Sequence, residues 1–415
     1  MRTRILPYCI AVAVAGSALF STGVAAWPSA PDTGAQSSDT SQSQLPASAS
    51  SSPPSAQLGT IIVTANKRSQ ALEDVPMAVT ALPGYQLDRA SAFSFSDYAS
   101  RVPGLNLISS GEGHTQLVLR GVTSGSTQPN ATVGTYIDGV PYGSSTVYAL
   151  GSILTPDIDP ADLKRIEVLR GPQGTLYGSN TLGGLIKFVT TPPDTSHAAA
   201  RVKVGYRSIE GGGAGFATHA MVNVPLKKDE LGLRVNAYHR DDPGYIDNVA
   251  TGQSDVNQAD VDGARAQLLW TPSDAFSARL WALAQNLDSD GLANQGVDVS
   301  AGTLKPIYGD LKRSHPPSTG LFKLKYRLYA LSLNADLGWA SLVSVSSYST
   351  LRMNMVKDVT TAFGPILGPA LGVPGAGFSL HKPVSMDKYT QELRLQSSGE
   401  REVEWRAGIY YTHER

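Results

Sequence analysis

Residues able to carry out a reaction are few in this chain and are not grouped. Its one cysteine is Cys9, and its seven histidines are scattered. A hydrolase elbow would read Gly-x-Ser-x-Gly, and the nearest stretch, Gly121-Val122-Thr123-Ser124-Gly125, has threonine at its centre. Neither a Gly-x-x-x-x-Gly-Lys phosphate loop nor a His-Glu-x-x-His zinc motif is present. Aspartate and glutamate do not fall at calcium-loop spacing. Catalysis, a resident metal and a cofactor are therefore not expected. The side chains worth following are two arginines. Arg120 and Arg170 each close a run of β-forming residues and stand directly before Gly121 and Gly171. Each is either a solvent-exposed strand end or a buried cation, and a buried arginine needs a carboxylate partner.

The elements that would position these residues change along the chain. Lys and Arg number 34 against 35 Asp and Glu, which leaves no basic excess for nucleic acid and no acidic tail. With 41 glycines and only 17% charged residues, the composition favours β-structure over a helix bundle. Residues 1–26 read as a secretory leader: Arg2 and Arg4, an apolar run Ile5–Phe20, then Val24 and Ala26 for cleavage after Ala26. Cleavage would remove Cys9. Beyond the leader no apolar run reaches the roughly 18 residues of a membrane helix, so any span must be made of β-strands. Residues 27–58 are rich in Ser, Pro, Ala and Gln and lack Lys and Arg, the composition of a disordered tether. The extended apolar run Thr60, Ile61, Ile62, Val63, Thr64 and Ala65 follows it. Such a segment could add as a strand to a partner's sheet edge, or it could be the first strand of the next domain.

Residues 59–195 mix signals. Strands are expected at Val75–Ala81, Gln116–Arg120, Val133–Ile137, Ile166–Arg170 and Gly184–Thr190, and a short helix at Phe95–Val102. Asp138-Gly139 is a strong hairpin signal, and Asp159-Pro160 reads as a helix cap followed by a first-turn proline. The stretch IEVLRGPQGTLYGSNTLGGLIKFVTT (Ile166–Thr191) resembles the signature of the plug domain of TonB-dependent outer-membrane receptors. VPGLNL (Val102–Leu107), LVLRGV (Leu117–Val122) and VGTYIDGVP (Val133–Pro141) also resemble that family, in its order. GTIIVTANKR resembles its TonB box, which selects the partner-strand reading of Thr60–Ala65. The resemblance makes Arg120, Gly121, Asp138, Gly139, Glu167, Arg170, Gly171, Pro172, Gly174, Tyr177, Gly178, Gly183 and Gly184 the motif residues. Gly171, Gly174, Gly178, Gly183 and Gly184 would permit tight turns and positive φ. It also implies that Arg120 and Arg170 face acidic residues on a barrel wall.

From Arg201 the pattern alternates with a period of two: Arg201, Lys203 and Arg207 against Val202, Val204 and Tyr206. One polar and one apolar face suit a barrel with a wet lumen and a lipid-facing exterior, although a soluble β-sandwich alternates too. About nine strands are expected, at 200–209, 215–225, 231–240, 261–270, 275–287, 321–336, 340–356, 387–397 and 403–413. The connections after the third, fifth and seventh are long, and those after the second, fourth, sixth and eighth are short, as in outer-membrane barrels. Glu392 and Glu404, on one inward face by this register, are the candidates to face Arg120 and Arg170. Aromatic residues in Phe322–Leu331 and Tyr389–Leu395 could form interfacial girdles.

The expected fold is therefore an α+β plug over 59–195 followed, over 196–415, by the first part of an antiparallel transmembrane β-barrel. About nine of the 22 strands of a plugged barrel would be present, leaving it unclosed. The resemblance implies energy-driven uptake of a scarce ligand, with a ferric siderophore as the expected class. It implies TonB with ExbB–ExbD as partners, outer-membrane lipid as surroundings and a monomeric state, with no nucleic acid. A plug-bearing binding module that does not transport, and a passive porin, are the competing readings. His114, in the polar loop Ser109–Gln116, is expected to be a solvent-exposed histidine rather than a ligand contact.

Overall fold

The computed structural model describes residues 60–109, 111–125, 131–145, 154, 156–290, 303, 305–398 and 403–415. The leader, the tether and Gly59 lie outside the described residues.

The first half is a small α+β domain. Short strands β1 (Ile62–Val63) and β2 (Gln70–Ala71) form a hairpin. A five-stranded sheet follows in the order β3 (Val79–Pro83), β8 (Leu163–Arg170), β9 (Gly184–Thr190), β6 (Val133–Ile137) and β7 (Val140–Pro141). A separate hairpin pairs β4 (Leu105–Ser109) with β5 (Thr115–Leu119). Helices α1 (Gly84–Arg89), α2 (Phe95–Ala99) and α3 (Gly174–Tyr177) are short. The expected strand Val75–Ala81 starts later, at Val79, because Leu72–Asp74 winds into a 3-10 turn and Pro76 has no N–H for a ladder. Helix α2 stops at Ala99, earlier than Val102. Its entry is a capping box, in which Ser94 N–H donates 2.9 Å to the Asp97 carboxylate. Asp138-Gly139 makes the predicted two-residue hairpin, with φ of 48° and 90° as a type I′ turn requires.

The second half is one antiparallel sheet of nine strands, all of them anticipated from the period-two pattern. In chain order these are β10 (Ala199–Ser208), β11 (Ala214–Lys227), β12 (Leu231–Asp242), β14 (Ala259–Ser273), β15 (Phe276–Ser289), β17 (Phe322–Asp336), β18 (Ala340–Asp358), β19 (Ser379–Ser397) and β20 (Arg406–Glu414). Each pairs with its neighbour in sequence, and β10 and β20 do not pair with one another. Loop parity follows the prediction: three-residue and two-residue turns join β11 to β12 and β14 to β15, while the links after β12, β15 and β18 are long. Two of the long loops are stitched together, β13 (Asp247–Asn248) lying parallel to β16 (Lys312–Arg313). The third carries helix α4 (Thr360–Ala370). No helix among the described residues is long and apolar enough to cross a membrane.

The main core lies between the small domain and one face of the sheet. Leu87, Phe95, Tyr98, Ile166 and Phe188 on one side meet Trp281, Phe322, Leu324 and Tyr326 on the other, all essentially removed from solvent. The opposite face of the sheet is apolar and bare: Val202, Val204, Tyr206 and Phe216 are each more than half exposed.

Candidate functional site

The Thr60–Ala65 segment is docked. Val63 and Ala65 are fully buried in a small second core with Val75, Tyr136, Leu169, Tyr177 and Leu185, while the alternating Ile62 is 45% exposed. One edge of β1 pairs with β2, and its other edge carries no ladder among the described residues. A cavity of about 630 Å³ opens beside it, lined in part by Thr60, Ile61, Ile62, Lys164 and Arg165.

Glu167, predicted from the motif, is the anchor. Its carboxylate accepts the Thr64 N–H at 2.8 Å and the Thr64 hydroxyl at 3.0 Å, and it is held by Arg165 at 2.7 Å. It sits in the middle of β8, fully buried, so it needs these partners. Lys187, opposite it on β9, donates to the Thr64 hydroxyl at 2.5 Å. Burial pulls the Lys187 ammonium down to about 8 against the opposing pull of Glu167 and Asp138. Tyr177, the last residue of α3, donates to the Ala65 carbonyl at 2.8 Å. Thus Glu167 and Tyr177 converge on the segment, and Lys187 joins them unpredicted: its only signal in the sequence was a lysine within the otherwise apolar strand GLIKFVT.

The hairpin is also tied to the sheet. Lys67 meets Glu392 at 2.7 Å, and Arg68 meets Glu404 at 2.7 Å. The two glutamates therefore do face the small domain, but not through Arg120 and Arg170, which corrects that expectation. Glu392 points inward from β19 and shares Arg394 at 2.7 Å. Glu404 lies in the turn before β20, not on the strand, so it reaches the hairpin below the sheet rather than the plug interior. Arg120 has φ of 53°, is exposed, and sits 3.7 Å from where a Cβ on Gly171 would stand. Neither Arg120 nor Arg170 makes an ion pair among the described residues. The sequence pattern assigned the acids to the wall and the cations to the plug, and around the loop 157–162 the polarity is reversed. There Asp162 accepts from Arg234 and Arg265 and takes Asn236 Nδ2 at 2.7 Å, while Asp157 pairs with Arg240. Burial raises the Asp162 carboxyl, but the two guanidinium groups outweigh it and hold it below the usual carboxylate range. Asp159 caps the 3-10 turn as predicted, accepting Ala161 N–H at 3.0 Å.

The remaining motif residues shape turns. Asp138 accepts the Thr190 N–H at 2.9 Å and faces Arg279 of the sheet at 3.3 Å, which fixes the β6–β7 turn. At Gly184, with φ of 148°, a Cβ would stand 2.3 Å from Leu169 O, so only glycine lets β9 run this close to β8. Gly121, Gly171 and Gly178 have positive φ; Gly183, expected to, does not, and its carbonyl accepts the Gly171 N–H at 2.9 Å. Gly174, by contrast, has ordinary helical backbone and open space around it. Pro172 is exposed between Gly171 and α3. His114 is buried, not solvent-exposed as expected: it packs edge-on against Phe322 at 5.7 Å, and burial lowers its imidazole to about 4.

Residues 71–185 match the TonB-dependent receptor plug domain. The chain is 32% identical over 238 residues to the pesticin receptor of Yersinia pestis, an alignment covering 55% of this chain and 32% of that protein. It is 34% identical over 161 residues to the vitamin B12 transporter BtuB of Vibrio vulnificus, covering 38% and 25%. The chain thus spans about a third of these relatives' length or less. The ferric yersiniabactin uptake receptor FyuA from Yersinia pestis superposes with a TM-score of 0.66 at 22% identity, over 81% of this chain and 48% of that one, a likeness of fold. The matched proteins are receptors and transporters by name. Residues 71–185 are therefore a TonB-dependent receptor plug domain, and the open sheet that follows has the fold of those receptors' barrel wall.

Proposed function

We propose that this chain belongs to an outer-membrane receptor that takes up a scarce ligand, with a ferric siderophore or similar metal chelate as the expected class. The work would come from TonB, with ExbB–ExbD, pulling on Thr60–Ala65. One observation carries the reading: the segment is extended, carries no ladder on one β-edge among the described residues, and is held to the plug by hydrogen bonds to Glu167, Lys187 and Tyr177 beside a small apolar core. An unpaired edge is what a partner strand adds to, and polar contacts can be broken one after another under load. The names of relatives support a metal chelate, since they include a hemin receptor and a vitamin B12 transporter. A passive porin would have no use for such a segment, and a binding module that does not transport would not need to release it.

Ile62→Pro removes a backbone N–H from that strand and leaves the plug core intact. In a receptor carrying this chain, uptake and capture by a purified TonB C-terminal domain are both expected to disappear, while ligand binding to whole cells persists. Uptake at the wild-type rate would eliminate TonB pairing through this segment.

A further inference from the structure

Two cavities adjoin at the Thr60–Ala65 segment. The larger, of about 630 Å³, is the one beside β1. A second, of about 420 Å³, lies between the β1–β2 hairpin and the wall. Leu269, Arg279, Ser332 and Val343 line it from the short-turn ends of β14, β15, β17 and β18. Those are the periplasmic ends in the outer-membrane reading. Thr64, Asp138, Lys187 and Arg279 line both cavities, which are therefore two chambers of one space.

The charge on this space is lopsided. Lys164, Arg165, Lys187 and Arg279 line the larger chamber, and the smaller adds Lys67, Arg68 and Arg394. Against these seven cations stand Asp138 and Glu392 in the lining, with Glu167 and Glu404 as the partners of Arg165 and Arg68. One carboxylate serves two of the cations, since Glu392 lies 2.7 Å from both Lys67 and Arg394. Lys164 and Lys187 make no ion pair among the described residues. Lys187 gives its hydrogens to Thr64, to the hydroxyl at 2.5 Å and the carbonyl at 3.4 Å. Seven cations against four carboxylates leave a positive surplus in a cleft with protein walls, an arrangement that concentrates anions.

The same segment closes the space and would open it. Withdrawal of Thr60–Ala65 takes lining from both chambers and leaves the Lys187 ammonium without its Thr64 acceptors. Resting on the uptake reading above, we infer that this space is the periplasmic exit for the cargo, and that Lys164, Lys187, Arg279 and Arg394 make it selective for an anionic metal chelate. Metal chelates carry either sign, so the surplus narrows the class.

The test places one thiol in the smaller chamber, by Ser332→Cys in the full chain with Cys9→Ser, refolded in detergent. Asn334→Cys, on the same lining, is a second reporter. The rate with anionic sulfonatoethyl methanethiosulfonate is divided by the rate with its cationic trimethylammonium analogue. That ratio is expected to exceed the ratio for free mercaptoethanol by about 10-fold, the low end of what a charged cleft achieves. Lys164→Gln with Ser277→Asp removes a cation and adds a carboxylate, and should cut the excess roughly 3-fold, whereas Lys164→Arg should keep it. The anionic cobalt(III)–EDTA chelate is expected to slow modification of the thiol by N-ethylmaleimide, and cationic hexaamminecobalt(III) is not. A ratio equal to that of the free thiol at both reporters overturns the proposal. So does equal protection by the two complexes, or protection by millimolar inorganic phosphate without protection by the chelate. Uptake at the wild-type rate in Ile62→Pro would instead remove the uptake reading and leave the measured selectivity in place.

Discussion

Glu167 shows how one buried side chain can hold a segment that a partner is to take away. Glu167→Ala leaves the Thr64 N–H without an acceptor and Arg165 without its carboxylate, and takes away one of the two negative charges that act on Lys187. An unsatisfied buried donor costs about 1–3 kcal/mol, so amide exchange at Thr64 and Ala65 should quicken roughly 5- to 150-fold, while β6 and β9 stay protected. Unchanged exchange at those two amides would mean that the small apolar core alone docks the segment. His114 carries a pH dependence of its own. Its imidazole is held down to about 4 by burial, whereas an unfolded histidine titrates near the ordinary 6.5. Between those values the unfolded chain binds more protons, so stability rises with pH there, and as pH falls from 6.5 through 4 the contribution is lost, on the order of 3 kcal/mol in all. Glu112, two residues away, is pushed up to about 8 by burial and has the opposite slope, so the histidine's share is read as the difference between wild type and His114→Phe across this range. Glu167 and Tyr177 were legible in the sequence because the motif names them. The burial of His114 was not, because it depends on Phe322, more than two hundred positions along the chain.

Among the elements, the 157–162 loop joins plug and wall through the buried ion pairs of Asp157 and Asp162. Removing Asp162 with Asp162→Ala would strand Arg234 and Arg265 in a buried place, which typically costs about 3–5 kcal/mol. Exchange across β8 and β9 should rise throughout the plug in that variant, while Glu404→Ala, at a half-exposed pair, should change it by less than about 1 kcal/mol. Comparable effects from the two would mean that the plug is not held chiefly by this loop. All nine long strands could be read from alternation, since a wall with one face to lumen and one to lipid repeats its polarity at every second residue. The pairing across the plug–wall gap could not. Sequence motifs mark Arg120 and Arg170, but which acid meets which cation is decided by how far around the wall each strand falls, and local pattern carries no such information. Lys67 and Arg68, adjacent to the box and basic, took the glutamates instead.

On the scale of the whole molecule, the sheet keeps its two outer edges open among the described residues, since β10 and β20 do not pair. In lipid an unpaired strand edge is strongly unfavourable. The outer-membrane species carrying this plug is therefore expected to have an intact mass well above 43.8 kDa or to run as an assembly in which those edges meet further strands. A species at the mass of this chain, embedded and monomeric, would contradict that. The long loops supply a last consequence. Asp247–Asn248 and Lys312–Arg313 share a ladder, and the Asn248 amide both donates to and accepts from the His315 backbone at 3.0 Å. Two segments separated by more than sixty residues are thus riveted into one plate at the mouth. A load on either described segment is therefore shared with the other through this ladder before it reaches the strands of the sheet.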